Sequence, residues 1–442
     1  MKKIDSKPKR PASKPKTAAE KIRKPKNAPD ILQKRIDFNI SLCKKSNGMK
    51  INLQRAAQNV VELQRGLTGS RALAGNGYMQ KGASLQAYLL YYWPVSYAQT
   101  KAALQKAPRF FERVAEISGL AGMSGNAGTA SKAKKRAVRV LDLGSGPAPA
   151  SCSLADLAQG RGEQNMAFEF CLCDSSGDAL SLGKKILEAA YAKNASVETR
   201  VCNLENVFQP KNGAAFLDGK KFDFIIASHS LNELWKGQKK RGEKIAALLK
   251  NLSACLDDGG LMLLMEPALL ATSRALIEAR DSLIASGLKV ASPCLQSASP
   301  CPALENPNAT CHAQFDWEMP QIVADLAALA GLNRADVKMT YFLFERGDSF
   351  GLTTDSTQEP ISGLVVSEPM LNKAGRVRYV LCDGKARFTL SAKNGDHNAA
   401  AQGFFDLKRY DKIKITGAQV RSQKGDPLSL GFDENTRLEF LL

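Results

Sequence analysis

Short apolar runs alternate with longer amphipathic stretches through the middle of the chain. Five runs predict β-strands, at 138–143, 167–173, 197–202, 222–228 and 260–265. Two of them are continuously apolar, which is typical of parallel strands buried on both faces. Helical or loop sequence follows each run, so the pattern predicts an α/β fold with helices covering a parallel sheet.

The flanking patterns differ from this core and divide the chain into four predicted parts. The parts are a disordered basic tail at 1–28, a helical region with a linker at 29–136, an α/β domain at 137–356 and a β-rich unit at 357–442. Inside the α/β domain we expect helices at 269–286 and 319–330, a strand at 337–344, and a loop rich in Pro, Cys and Asn at 291–318.

One helical segment has an unusual aromatic content. Residues 88–93 are rich in Tyr and Trp and precede Pro94, where the pattern predicts a break and a new helix with Ser96 as its N-cap. Aromatic side chains at this density are more often core residues than stacking partners for bases, so we expect them to be buried.

Charge is concentrated at the beginning of the chain. The formal net charge is +19, and residues 1–36 hold 13 Lys and Arg against 3 Asp and Glu. Such a cationic segment suits a polyanion, because neutralised phosphates release counterions; a solubilising tail is the alternative. We find no secretory signal and no membrane-length apolar run, and the ten cysteines are expected to be reduced. The expected location is the cytoplasm of a bacterium, or the mitochondrial matrix in a eukaryote.

The first strand runs into a glycine-containing turn, VLDLGSGPAPA at 140–150. Glycine there lets the backbone approach a ligand, and ligands bind at the carboxyl ends of parallel strands. Asp174 ends the second strand, where it could accept hydrogen bonds from ribose hydroxyls, and Asn203 follows the third. The set resembles the class I S-adenosylmethionine-dependent methyltransferase motifs more than an NAD-binding Rossmann loop. The predicted cofactor contacts are Asp142, Gly144, Ser145, Gly146, Asp174 and Asn203.

Two features weaken the prediction of an active enzyme. Ala148 stands where a third glycine is expected, so we expect its methyl group to occupy ligand space and weaken cofactor binding. Residues 228–235, after the fourth strand, lack the Asp/Asn-Pro-Pro-aromatic motif of amino-methylating enzymes. His229 or Glu233 could act as a base, but either is more often structural, so no catalytic residue is assigned.

Three cysteines lie within eighteen residues of the 291–318 loop. Cys294, Cys301 and Cys311 precede His312, and Cys382 comes before a tight turn further on. Four thiolates suit an iron–sulfur cluster or zinc, and three with His312 suit zinc alone. The absent Cys-x2-Cys spacing favours iron–sulfur. Cys171, Cys173, Cys202 and Cys255 lie in apolar surroundings and are predicted to be small buried residues.

These features together resemble the methyltransferase-like family associated with the small subunit of mitochondrial ribosomes and its bacterial relatives. The resemblance covers roughly residues 85–390. It lies in the 87–97 aromatic segment, the 141–147 loop, Leu-Asn-Glu-Leu at 231–234, Met-Glu-Pro at 265–267 and the cysteines. It implies a [4Fe–4S] cluster on Cys294, Cys301, Cys311 and Cys382, association with 16S-type small-subunit rRNA, and a role in ribosome assembly or translation.

The sequence is therefore consistent with three functions. The first is an S-adenosylmethionine-dependent rRNA methyltransferase, and the second is a non-catalytic assembly factor that keeps the fold as an RNA-binding scaffold. The third is a small-molecule methyltransferase with a zinc-stabilised loop, which the basic tail disfavours. We expect a cluster-bearing protein of methyltransferase fold that acts on the small ribosomal subunit, with no membrane and no obligate protein partner.

Overall fold

The computed structural model describes residues 30–47, 51–69, 79, 82–119, 136–160, 166–207, 216–346, 360–423 and 426–441. The predicted basic tail, and all but the last residue of the 120–136 part of the linker, lie outside the described residues. Within them, no helix combines the length and the apolar character needed to cross a membrane.

The central element is an eight-stranded sheet. Its strands are β1 (Val138–Leu143), β2 (Phe168–Asp174), β3 (Ala195–Val201), β4 (Phe222–Ser228), β5 (Leu256–Pro267), β6 (Lys289–Ser292), β7 (Ala313–Asp316) and β8 (Asp336–Glu345). The order is β3-β2-β1-β4-β5-β8-β6, with β7 also paired to β8. Strands β1 to β5 are parallel, whereas β8 is antiparallel to β5, β6 and β7.

This order confirms the predicted fold class. The strand order reverses between β1 and β4, so the connections that leave their carboxyl ends run in opposite directions and leave a crevice at that end of the sheet. Continuous burial of β4 up to Ser228 explains why its sequence is apolar without alternation. A sheet of this order, with the antiparallel strand β8 inserted between β5 and β6, is the class I methyltransferase arrangement.

Helices connect and cover these strands. They are α1 (Asp30–Asn47), α2 (Leu53–Gln64), α3 (Gly82–Ala87), α4 (Trp93–Gln105), α5 (Pro108–Ser118), α6 (Pro149–Gln159), α7 (Gly177–Tyr191), α8 (Leu204–Val207), α9 (Arg241–Ser253), α10 (Leu270–Ala285) and α11 (Gln321–Ala330). Helix α4 packs on α6 and β8, and α2 packs on α11, so the helices that precede the sheet share its core.

The predicted break at Pro94 is wrong. A π-helical turn, Tyr88–Tyr92, passes directly into α4, and Pro94 occupies the first turn of that helix. The preceding turn has i→i−5 hydrogen bonding, with the Trp93 N–H donating to the Tyr88 carbonyl oxygen, so the helix continues past a proline that cannot itself donate. Ser96 is consequently inside the helix and does not cap it.

A second sheet follows in the C-terminal region. It contains β9 (Ile361–Val365), β10 (Met370–Leu371), β11 (Arg376–Cys382), β12 (Arg387–Lys393), β13 (Lys412–Thr416), β14 (Gln419–Val420), β15 (Ser429–Gly431) and β16 (Arg437–Leu441), with one short helix, α12 (His397–Ala401). The order is β14-β15-β12-β11-β9-β13-β16. Its inward residues, including Tyr379 and Phe388, form a separate apolar cluster with Phe404, which follows α12. The four-part division of the chain itself stays a prediction.

Candidate functional site

A cavity of about 340 Å³ opens at the carboxyl ends of β1 to β4. One side is built from the turn after β1 and the residues that follow β2 and β3. The opposite side is built from the residues after β4, from the π-helical turn and α4, and from two cationic residues, Arg334 and Lys338. The crevice predicted by the strand order therefore contains an actual pocket.

The turn after β1 requires glycine at its first position. Gly144 has a φ of 63°, and its N–H donates to the Cys173 carbonyl oxygen at 2.7 Å. A Cβ atom on Gly144 would lie 2.4 Å from the Cβ of Ser230, which is a severe overlap. Backbone conformation and close approach both exclude a side chain here, and the β1 turn can thus reach the β4 turn across the cavity floor.

Asp174 ties this turn to the end of β2. Its carboxylate accepts a hydrogen bond from the Gly146 N–H at 2.9 Å and another from the Ser176 N–H at 2.9 Å. Burial raises the pKa of Asp174, while these backbone donors oppose the rise. The carboxylate lines the cavity with its position fixed by two backbone groups.

The six predicted cofactor residues separate into two groups. Gly144, Gly146, Asp174 and Asn203 line the cavity. Asp142 lies behind the wall, fully buried, where it accepts a hydrogen bond from the Ser151 hydroxyl at 2.7 Å. Burial raises the pKa of Asp142 to about 7. The Ser145 side chain is also buried behind the turn, so Asp142 and Ser145 support the loop rather than face the cavity.

Ala148 does not intrude into the cavity, contrary to the expectation from its position. It is fully buried and is absent from the cavity wall. Its methyl group lies towards α7, where a Cβ built on Gly183 would come within 3.3 Å of it. The residue adopts left-handed backbone angles, φ 57° and ψ 42°, as the N-cap of α6. The missing glycine therefore strains the backbone without filling ligand space.

His229 forms part of the opposite wall, held in one orientation. Its Nε2 atom lies 2.8 Å from the Oε1 of Gln99, whose Nε2 donates to the Lys338 carbonyl oxygen at 2.9 Å. Because Gln99 presents its oxygen, His229 Nε2 must carry the proton, and Nδ1 keeps its lone pair. Nδ1 is buried and has no hydrogen-bond partner among the described residues. Burial, aided by the charge of Arg334, lowers the pKa of His229 to about 4.

A protonatable carboxyl supports the turn after β4 from behind. Glu266, near the end of β5, is buried and accepts a hydrogen bond from the Asn232 N–H at 3.1 Å. Its Oε2 atom has no partner among the described residues. Burial raises the pKa of Glu266 to about 8, with a smaller contribution from the Glu233 carboxylate. Near neutral pH this side chain is mostly the uncharged acid.

Two tyrosines of the π-helical turn face the cavity, although the aromatic segment was predicted to be core. Tyr88 and Tyr92 stack with ring centroids 5.9 Å apart, and both line the pocket. Tyr91 and Trp93 are buried as predicted, and Tyr97, beyond that segment, is buried too. The four-residue spacing of the two cavity tyrosines was a signal for a shared helical face. Arg334 had no such signal; its guanidinium lies over the Tyr91 ring and donates to the Tyr91 hydroxyl at 3.0 Å.

The four predicted metal ligands lie near one another. Burial first, then the Cys294 and Cys311 sulfurs, raise the pKa of the Cys301 thiol to about 12. Burial and the other three sulfurs likewise raise the pKa of Cys382. A hydrogen bond from Gln296 Nε2 to the Asp383 carbonyl oxygen, 3.0 Å long, joins the loop to the second sheet.

A buried guanidinium and a tyrosine hydroxyl lie near these thiols. Burial lowers the pKa of the Arg280 guanidinium, but the neighbouring Cys294, Cys301 and Asp281 side chains raise it more. The pKa of Arg280 is therefore raised above its ordinary value. Its Nε atom is buried without a partner among the described residues. The Tyr410 hydroxyl lies 3.3 Å from the Cys311 sulfur. Nowhere in the described part of the chain do three or more Cys, His, Asp or Glu side chains form an arrangement that would hold a metal ion, so the metal site stays a prediction.

The remaining cysteines predicted as small core residues are buried. Cys171, Cys173, Cys202 and Cys255 are all free and buried, which confirms that prediction. Cys202 also lines the cavity.

Solved structures with related architecture include several methyltransferases. Magnesium protoporphyrin IX methyltransferase from Synechocystis is 11% identical, with 65% of this chain and 97% of that one covered and a TM-score of 0.31. Precorrin-6y C5,15-methyltransferase from Geobacter metallireducens is 13% identical, with 48% and 81% covered and a TM-score of 0.27. PKMT2 from Rickettsia typhi is 18% identical, with a TM-score of 0.23; the match covers 37% of this chain and spans only 25% of that protein. No curated protein matches the chain.

The family comparison covers more than half of the sequence. The model of the family described as mitochondrial small ribosomal subunit Rsm22 matches residues 130–401. That span includes the whole first sheet, the cavity-lining turns that follow β1 to β4, the cysteine loop and β9 to β12. The resemblance predicted from the motifs is thereby confirmed, and this protein belongs to the mitochondrial small ribosomal subunit Rsm22 family.

Proposed function

We propose that this protein binds S-adenosylmethionine in the cavity and methylates rRNA of the small ribosomal subunit. The observation that carries the proposal is one cavity with two chemically different sides. The side after β1 to β3 offers a glycine turn and an oriented carboxylate, and the side after β4 offers a free nitrogen lone pair and stacked rings.

The first side fits the cofactor. Gly146 faces open space, with only the Met79 methyl carbon at 3.9 Å from a Cβ built on it, so a ligand can approach the backbone. The Asp174 carboxylate is positioned to accept ribose hydroxyl hydrogen bonds, and Asn203 follows at the end of β3. S-adenosylmethionine, when bound, supplies an electrophilic methyl group.

The second side fits a nucleobase as methyl acceptor. Tyr88 and Tyr92 present aromatic faces on which a base could stack, and Arg334 supplies a positive charge for its phosphate. His229 is neutral near pH 7, and its buried Nδ1 lone pair has no partner among the described residues, so an acceptor group that reaches it would find a hydrogen-bond or proton acceptor. Gln99 holds that tautomer in place.

The partner and location follow from the family. Its name associates it with the mitochondrial small ribosomal subunit, and the chain carries a net charge of +19, which suits RNA. We therefore assign the substrate to 16S-type rRNA, in the mitochondrial matrix of a eukaryote or in the cytoplasm of a bacterial source.

We further propose a [4Fe–4S] cluster on Cys294, Cys301, Cys311 and Cys382. The thiols fit this group because Cys294 and Cys311 act on Cys301, because those three act on Cys382, and because the buried guanidinium of Arg280 has an unsatisfied Nε beside them. The absence of Cys-x2-Cys spacing, which most structural zinc sites have, favours the cluster over zinc. The cluster would fasten the 291–318 loop to the second sheet.

Methyl transfer to rRNA tests the proposal. Purified protein is incubated with small ribosomal subunits and S-adenosylmethionine labelled in the methyl group, and the label in rRNA is counted. We expect incorporation by the natural protein, a loss of at least tenfold for His229→Gln with cofactor affinity retained, and no change for His397→Gln, which is exposed on α12. A natural protein that binds the cofactor and transfers no methyl group to rRNA would leave the scaffold function instead.

A further inference from the structure

The outward face of the second sheet carries a group of positive side chains away from the cavity. Residues alternate along β11, so Tyr379 and Leu381 point into the apolar cluster while the intervening residues point outward. Four cations lie on this outward side, near the start of β11, the end of β12 and the end of β14. We call them the basic face: Arg376, Arg378, Lys393 and Arg421.

The strand register brings these charges together. Arg376 is directly opposite Lys393 in the β11–β12 ladder, a pairing of like charges that is unfavourable by itself. Arg421 extends across β15, because a Cβ built on Gly431 would lie 1.9 Å from its Nε atom. Gly431 thus leaves room for this guanidinium to lie flat over the sheet and reach β12.

Few negative groups balance the basic face. Burial is the main cause that lowers the pKa of Arg376, and the neighbouring positive charge of Arg421 lowers it further. The Asp396 carboxylate has the opposite effect and raises this pKa. Asp396 already accepts a hydrogen bond from the Ala399 N–H as the cap of α12. None of the four cations forms a salt bridge with a described residue. The Arg376 guanidinium donates to the Ser391 carbonyl oxygen at 2.9 Å, and Arg421 donates to Gln419 Oε1 at 3.4 Å, so their partners are neutral. Clustered cations that lack acidic partners indicate an external anion.

We propose that the basic face binds the phosphate backbone of RNA, an inference that rests on the proposed action on rRNA. Three strand spacings separate β11 from β14, roughly 14 Å, so the face is too long for one phosphate and suits a polyanion. Between the cations the outward residues are small and polar: Ser391, Ser429 and Gly431. They give a flat polar surface that an RNA strand can approach.

The residues on this side of the sheet favour RNA over a membrane surface as the partner. They also favour contacts with the RNA backbone over contacts with its bases. The exposed apolar residues of this region, Leu371 and Val420, pair with Val377 and Leu430 and so belong to the other side of the sheet. No aromatic residue occupies an outward position among the described residues of β11, β12 and β15. Binding through this face is therefore expected to be independent of base sequence.

Charge removal tests the proposal in the full chain. In one variant the four residues of the basic face become alanine; in a matched variant four exposed lysines distant from it become alanine, namely Lys184, Lys185, Lys193 and Lys250. Affinity for small-subunit rRNA is measured across salt concentrations, with melting temperature as the check on folding. We expect the first variant to bind at least about tenfold more weakly, with a salt slope lower by roughly 3, as loss of four phosphate contacts implies.

The outcomes separate this proposal from the proposed function. Equal affinity and salt slope in the two folded variants overturn the basic face while leaving rRNA binding intact. Failure of the natural protein to bind rRNA overturns both. Anionic phospholipid vesicles that bind the natural protein but not the first variant, with RNA binding unchanged between variants, assign the face to a membrane surface and overturn the proposal.

Discussion

Single residues around the β1 turn determine how the cavity is built. Ala148 holds a left-handed backbone conformation that costs an L-residue about 1 kcal/mol, whereas glycine adopts it freely. The strain persists because Pro149 and the buried contacts of α6 fix the residue in place. The departure from the three-glycine pattern thus affects stability more than ligand access.

We expect Ala148→Gly to leave the unfolding free energy unchanged or to raise it by up to about 1 kcal/mol, because relief of strain offsets the greater entropy of the unfolded chain. Ala150→Gly is the matched control: Ala150 is buried inside α6, and the substitution there should cost about 1 kcal/mol. Chemical denaturation of both variants checks the difference. Equal losses for both would show that position 148 is unstrained.

Glu266 should make stability depend on pH. Its pKa rises from an ordinary 4.5 to about 8 on folding, so the folded protein holds the proton more tightly than the unfolded chain. Stability from this group is therefore fully present below about pH 4.5 and is lost as pH rises towards 8. Asp142, with a pKa of about 7, acts in the same direction.

We expect Glu266→Gln to flatten the fall in unfolding free energy between pH 5 and pH 8 relative to the natural protein, because the amide imitates the uncharged acid. Glu278→Gln, an exposed substitution on α10, should leave the slope unchanged. Denaturation midpoints at several pH values provide the measurement. Parallel pH curves for the natural protein and Glu266→Gln would contradict the account of this residue.

At the level of elements, apolar continuity predicted the sheet well. The strands expected at 138–143 and 222–228 coincide with β1 and β4. The second wall of the cavity was predictable only in part: His229 and Glu233 follow a predicted strand, whereas Gln99 and Arg334 reach the wall through packing of segments distant in sequence. The break predicted at Pro94 was wrong because the chain passes from a π-helical turn into α4 at this proline. The pattern of apolar residues does not reveal such a junction.

The cysteine loop gives an element-scale test. We expect anaerobically purified protein to be brown from thiolate-to-iron charge transfer, and serine at Cys294, Cys301, Cys311 or Cys382 to bleach it. Cys255→Ser is the control, since Cys255 is buried near Leu252 and Leu256 and away from the loop. Elemental analysis should find iron. Protein made with ample iron that contains one zinc and no iron would assign the loop to zinc instead.

Across the whole molecule, charge is divided between the N-terminal segment and the rest of the chain. Residues 1–28 hold eleven Lys and Arg against two acids, so they supply much of the net charge of +19. Deleting them should weaken rRNA binding and reduce its salt dependence without lowering the melting temperature. An unchanged salt slope in the truncated protein would limit the role of this segment to solubility.

Binding of S-adenosylmethionine in the cavity underlies the proposed function, and calorimetry with this cofactor tests it directly. We expect a dissociation constant on the order of micromolar. Ala148→Gly should leave it unchanged, because the Ala148 side chain faces away from the cavity. Asp174→Ala should weaken binding by about 1.5–3 kcal/mol, the range for a charged acceptor, while Asp178→Ala, exposed on α7, should not. No heat of binding from the folded natural protein at millimolar cofactor would contradict the claim that this pocket binds S-adenosylmethionine.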